Sequence, residues 1–262
     1  MQPYLRACLA EFLGTLAVVF VGAGTVCAGY QAIVAGQTSQ PNLIAVALAH
    51  GLMLAAALAF TQHQSGGYLN PAISLTLWVL NRLDGWQAAR LIAAQLAGAG
   101  LGGLGVRLLF TEDVLREARL GTPHLNLPAF GGADSHLPTF GMLLSGIGVE
   151  FMLTWIVTLA VFGTGIDPRG PRLNGLAAGP AWGAGIFFAY FLTGAATNPA
   201  RWFGTVIWEK SVPGLQTTAF ADHAVYWIGP VLGALAAGCV YSYGLMSATE
   251  PRPSASPDKP SS

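Results

Sequence analysis

The sequence predicts an all-α polytopic membrane protein, a bundle of six transmembrane helices with two re-entrant half-helices, built as an inverted repeat. Three observations carry this. Of 262 residues 53% are hydrophobic and only 9% charged, against roughly 25% charged in an average soluble domain. Apolar stretches long enough to cross a hydrocarbon core of about 30 Å recur along the chain. The tripeptide Asn-Pro-Ala occurs twice, at Asn70-Pro71-Ala72 and Asn198-Pro199-Ala200, each time after a long apolar stretch and before a much shorter one.

The spans fall at about residues 5 to 28, 42 to 62, 85 to 109, 139 to 163, 173 to 193 and 223 to 246. The first carries Glu11 and runs on to Cys27 without a cleavage-site pattern, so it reads as a retained span rather than a signal peptide. The short segments, 70 to 80 and 198 to 209, follow the second and fifth spans. Asn is a favoured N-cap and Pro suits the first helical position, where its missing N–H costs nothing, so both triplets start helices. From Asn70 to Leu80 such a helix is only about 16 Å long at about 1.5 Å per residue, half of what a bilayer requires.

The order long, long, short, long repeats over about 5 to 109 and 139 to 246 within one domain, 1 to 246. Glu11-Phe12 followed by Thr15 is echoed by Glu150-Phe151 followed by Thr154. Three spans per half force opposite orientations, and interrupted helices in matching positions of inverted repeats point to the site between them. With both termini cytoplasmic, the inner segments hold Arg6, Arg82, Arg90, Arg169, Arg172, Arg252 and Lys259 against Arg107, Arg116, Arg119 and Lys210 outside, as the positive-inside rule asks. A plasma or bacterial inner membrane is the default location. Glycines four apart at Gly98/Gly102, Gly179/Gly183 and Gly229/Gly233 suit close helix packing in lipid. Residues 247 to 262, rich in Pro and Ser, are expected to be disordered.

A net charge of +0 gives no basic surface for nucleic acid, and no phosphate loop, zinc spacing or dinucleotide fingerprint calls for a cofactor or metal. Cys8, Cys27 and Cys239 suit buried free thiols. The buried acids lie too far apart in the scheme for an acid/base pair, so the chain is not expected to be an enzyme.

Two half-helices meeting by their N-termini place two positive dipole ends at the membrane centre, which repels cations. Asn70 and Asn198 then offer amide donors to a passing molecule, and the opposed fields turn its dipole and break a proton-conducting water chain. The approach segments, Ser65-Gly66-Gly67-Tyr68-Leu69 and Thr193-Gly194-Ala195-Ala196-Thr197, are non-helical backbone at membrane depth, tolerated where they line a wet cavity. Arg201 follows the second triplet and requires water or a partner. Glu11 and Glu150 are expected to accept hydrogen bonds from the loop backbone entering each half-helix.

The doubled motifs, Ser65 to Ala72 and Thr193 to Arg201 with the acids Glu11 and Glu150, resemble those of the aquaporins of the major intrinsic protein family. The resemblance implies the aquaporin bundle, a homotetramer with a pore in every subunit, and an aromatic/arginine selectivity filter. Counted from the motifs, the filter positions are His50, Ile186, Ala195 and Arg201, a set similar to that of plant tonoplast intrinsic proteins. It implies passage of water and small neutral solutes such as ammonia, urea or hydrogen peroxide, with ions and protons excluded. His124 is expected over the outer mouth, meeting Arg201, and His63 in the inner vestibule. Trp202 and Tyr68 depart from the family pattern, and Trp202 is expected to reshape the wall of the second half-helix. The alternatives are a glycerol facilitator, which the residue after Arg201 and the pair Tyr226-Trp227 disfavour, and a closed-pore structural membrane protein. A coupled transporter would need a titratable relay beyond His50 and His63.

Overall fold

A computed structural model describes residues 2–132, 137–215 and 221–246; the tail expected to be disordered lies outside these. Nine α-helices appear among the described residues: α1 (Pro3–Val34), α2 (Leu43–Ser65), α3 (Pro71–Val79), α4 (Gly85–Leu109), α5 (Glu112–Glu117), α6 (Phe140–Val161), α7 (Asn174–Ala189), α8 (Pro199–Val206) and α9 (Asp222–Val240). Five are long and apolar enough to cross a membrane: α1, α2, α4, and α6 and α9 with their terminal π turns. The sixth, α7, has 16 residues. The remainder of the expected fifth span is a turn at 190–193, where Gly194 N–H donates to the carbonyls of Ala189 and Tyr190. Helix α1 outruns its expected end because the first residue with a left-handed backbone is Gly36, at φ 68°.

Local chemistry sets the other boundaries. Side-chain oxygens of Asn42, Asp84 and Thr139 cap α2, α4 and α6. Gly66 ends α2 in the left-handed conformation, φ 101°. The half-helices α3 and α8 have 9 and 8 residues, roughly 12 to 14 Å each at about 1.5 Å per residue.

Long helices pair as α1 with α4, α2 with α7, and α6 with α9, and the paired glycines lie at these contacts. A methyl group at Gly98 would run into the carbonyl oxygen of Phe12, and one at Gly233 into that of Phe151. One at Gly179 would meet the carbonyl of Gly51. These are equivalent contacts in the two halves, since Phe12 and Phe151 follow the paired glutamates. Gly98→Val is therefore expected to wedge α4 from α1 and lower stability by about 1 to 3 kcal/mol, the usual cost of overpacking. A thermal shift in detergent that matches wild type would refute this.

Each half-helix also packs on the opposite repeat, α3 against α9 and α8 against α4. Gly103 and Gly204 meet at the second of these contacts, where neither has room for a Cβ. The two halves are thus interlocked. The outside of the bundle is apolar, with Leu52 67%, Phe188 69% and Leu176 69% exposed, while Glu11, Gln95 and Glu150 inside are 0% exposed. This inside-out distribution is that of an integral membrane protein, whose lipid-facing surface tolerates no unpaired polar groups. Cys27 is buried, but Cys239, expected to be buried, is exposed on α9; its position on the helix, unreadable from composition, turns it outward.

Candidate functional site

Two buried carboxylates hold the non-helical segments that lead into α3 and α8. Glu11 accepts from Ser65 Oγ at 2.5 Å, Tyr68 N at 2.9 Å and Leu69 N at 2.6 Å. Glu150 accepts from Thr193 Oγ1 at 2.7 Å, Ala196 N at 3.0 Å and Thr197 N at 2.7 Å. The same three groups of each segment are gripped, as the repeat requires. A fourth donor to Glu11, Gln95 Nε2 at 2.7 Å, also reaches Ser74. A polar residue in an apolar helix was the signal for Gln95, and sequence reasoning passed over it.

The grip sustains an unusual backbone. Gly66, Gly67 and Leu69 have φ of 101°, 64° and 51°, and Gly194, Ala195 and Thr197 have 78°, 51° and 52°. Left-handed conformations at Leu69, Ala195 and Thr197 cost about 1 kcal/mol or more each for side chains with a Cβ. The buried carboxylates offset that cost by satisfying N–H groups that no helix pairs.

Asn70 and Asn198 cap their half-helices through Oδ1, each accepting at 2.9 Å from the N–H of the alanine two residues on. Their amides also cross between the repeats: Asn70 Nδ2 donates to Thr197 O at 3.0 Å and Asn198 Nδ2 to Leu69 O at 2.7 Å. Because those carbonyls belong to the left-handed residues, strain, cap and cross-link form one unit. One N–H of each amide goes to the partner loop, and both asparagines line a cavity of about 20 Å³. That is room for about one water molecule. Pro71, Ala72, Pro199 and Ala200 are buried in the first turns of α3 and α8.

On one side of this midpoint lies a cavity of about 480 Å³, with His50, Ile186 and Arg201 in its lining. Arg201 Nη2 donates to Gly121 O at 2.8 Å and stands 3.4 Å from His50 Nε2. His50 Nδ1 lies 2.8 Å from the carbonyl of Val46, which assigns the proton to Nδ1 and leaves Nε2 as acceptor toward the guanidinium. Trp182 packs its edge on the His50 ring at 5.0 Å, and Gly22 leaves the space that the ring occupies. Trp182 Nε1 also donates to Ala195 O at 2.9 Å, so one indole positions both His50 and the backbone at Ala195. Of the four residues counted from the motifs, His50, Ala195 and Arg201 are therefore linked through Arg201 and Trp182, Ile186 lines the same cavity as His50 and Arg201, and each is at most 2% exposed.

The loop after α4 does fold over this mouth, but Arg201 meets the Gly121 carbonyl rather than His124. His124 lines the same cavity with Nε2 2.7 Å from Glu209 Oε1 and Nδ1 3.7 Å from Asp222. Two buried acids flank the imidazole, and neither was recognisable from spacing. Trp202 is fully buried, stacked on Tyr226 at 5.2 Å and edge-on to His223. It thus shapes packing behind α8 rather than the cavity walls.

The opposite side opens into a cavity of about 980 Å³ lined by His63, Tyr68, Arg82, Arg172 and Asn174. The loop beside it is closed by Asp167, which accepts from Arg169 Nε at 3.0 Å and Nη2 at 2.6 Å. The guanidinium holds the Asp167 carboxyl well below the usual carboxylate range. Among the described residues no group of three or more His, Cys, Asp or Glu is placed to hold a metal ion.

The model of one family, described as "Major intrinsic protein", matches residues 1–241. Aquaporin TIP4-4 of Zea mays is 37% identical over 243 residues, which covers 90% of this chain and 85% of that protein. Lens fiber major intrinsic protein of Lithobates pipiens is 32% identical over 243 residues, 92% of this chain and 81% of its own. Among solved structures, the aquaglyceroporin from Plasmodium falciparum superposes with a TM-score of 0.70 at 22% identity, over 92% of this chain and 96% of its own, a likeness of fold alone. With the repeat, the interlocked half-helices and a family match over nearly the whole length, the chain belongs to the major intrinsic protein family of membrane channels.

Proposed function

We propose that the protein passes water and small neutral solutes, ammonia foremost, passively through each subunit and excludes protons and ions. The observation that carries this is a cavity of about one water's volume, lined by both asparagines at the two half-helix N-termini, with a larger cavity on either side. Opposed dipole ends there disfavour any cation, and a water that accepts from the amides cannot pass a proton onward. Arg201 adds a fixed positive charge at the outer constriction. His50 and Ile186 form the opposing wall, with one polar acceptor and one apolar side chain, and Ala195 leaves space. That composition favours small neutral solutes that can donate to the His50 acceptor, ammonia foremost. The names of plant relatives such as Aquaporin TIP4-4 support the water reading. Assembly as a homotetramer, and a plasma or inner membrane with both termini cytoplasmic, belong to the same proposal.

Stopped-flow light scattering of reconstituted liposomes tests it, with an osmotic step for water and inward gradients of ammonia, urea and glycerol. Water flux well above empty liposomes is expected, together with ammonia flux that His50→Phe/Ile186→His reduces by roughly tenfold through narrowing and repolarising the constriction. Folded protein with no water flux above empty liposomes would point instead to a closed structural role.

A further inference from the structure

The constriction at Arg201 lies on one side of the midpoint, and the position of Tyr68 marks a second on the other. The midpoint cavity of about 20 Å³ and the inner cavity of about 980 Å³ share Tyr68 alone among their lining residues. The step in cross-section therefore falls at this ring. Its placement follows from the loop: Gly67 and Leu69 on either side are left-handed, Tyr68 N–H is held by Glu11 at 2.9 Å, and the ring folds back over Gly66. A Cβ on Gly66 would lie 2.5 Å from both Tyr68 Cζ and Oη. Ring and glycine thus fit each other, and a ring held between two left-handed residues and packed on the main core has little freedom to swing aside. The equivalent residue in the second repeat, also gripped through its N–H by a buried glutamate, is Ala196, so the repeat leaves the other approach without a ring.

We infer that Tyr68 is a specificity-determining residue, a second size barrier that limits the solutes reaching the midpoint from the inner cavity. The inference rests on the channel reading above. A polyol that clears the Arg201 side still has to pass an aryl ring at the threshold of a cavity sized for one water, whereas water and ammonia do not meet that limit.

Two barriers in series call for a test in two backgrounds, wild type and an outer-widened His50→Ala/Ile186→Ala protein, each with Tyr68, Tyr68→Ala or Tyr68→Phe. Water, urea and glycerol fluxes are measured in liposomes. The expected result is that outer widening alone leaves glycerol near the empty-liposome rate, that adding Tyr68→Ala raises it on the order of tenfold, and that Tyr68→Phe, which keeps the ring, retains the exclusion. Glycerol passing as fast in the outer-widened protein as in the triple variant would overturn the inference, as would no gain from Tyr68→Ala in either background. If the alanine variant does not elute as folded protein, Tyr68→Leu makes the same comparison. Absence of water flux in wild type would count against the channel reading itself, a separate outcome from wild-type water flux with glycerol indifferent to Tyr68.

Discussion

Glu150→Ala is expected to lower stability by about 3 to 9 kcal/mol, because three buried donors lose their acceptor at about 1 to 3 kcal/mol apiece. The donors are Thr193 Oγ1 and the N–H groups of Ala196 and Thr197. With the carboxylate gone, nothing offsets the left-handed backbone at Ala195 and Thr197. Relaxation of Thr197 would also withdraw the carbonyl that receives Asn70 Nδ2 at 3.0 Å. The damage therefore crosses to the first repeat, and water flux is expected to fall along with thermal stability. Glu150→Gln keeps one acceptor oxygen but turns an NH2 toward a donor, so an intermediate loss is expected. Heating in detergent followed by size-exclusion chromatography, with flux assays on the surviving fraction, gives both readouts. An alanine variant as stable and as conductive as wild type would show that the carboxylate does not hold the loop. Glu11→Ala is expected to behave in the same way, since Ser65, Tyr68 and Leu69 depend on it.

Arg201→Val is expected to change selectivity more than stability. Arg201 is 2% exposed and held by Gly121 O at 2.8 Å, and in the proposed channel it supplies the charge at the constriction. Its removal widens the constriction and leaves His50 Nε2 facing a void in place of a cation. Urea flux is expected to rise on the order of tenfold, and a proton leak should appear as the outer barrier to hydrated cations falls. A pH-sensitive dye trapped in liposomes reads the leak, and light scattering reads the urea. A variant with wild-type urea flux and no leak would place the whole barrier at the midpoint between the asparagines. The stability cost is expected to be moderate because the loop carbonyl of Gly121 borders a wet cavity and can turn to water.

Much of this was legible in the residues. Pro at the first helical position after Asn forces a helix start, and two such starts before segments too short to cross a bilayer leave few arrangements other than re-entry. Glu11 and Glu150 were readable because a charge in an apolar span is tolerated only with dedicated partners. The paired glycines were readable as close contacts, although not which helix each one touches. Less accessible were contacts between groups distant in the chain with no periodicity to announce them. Gly121 reaches Arg201 through a loop carbonyl, and a backbone acceptor has no side-chain signature. His124 was expected at Arg201 but finds Glu209 and Asp222, acids whose burial depends on how the loop after α4 folds. Trp202 was expected to reshape the wall, and its stacking on Tyr226 turns it away.

The sequence by itself determined that the chain is a membrane bundle, that it is built twice, where its helices break and which side chains stand at the breaks, because those follow from hydropathy, capping and the price of a charge in lipid. Only the tertiary structure decided that the asparagines bind each other's loops, that left-handed residues supply the receiving carbonyls, and that Tyr68 stands at the threshold of the midpoint. These depend on the packing of one repeat against the other, and local chain chemistry carries no record of its partner's distance.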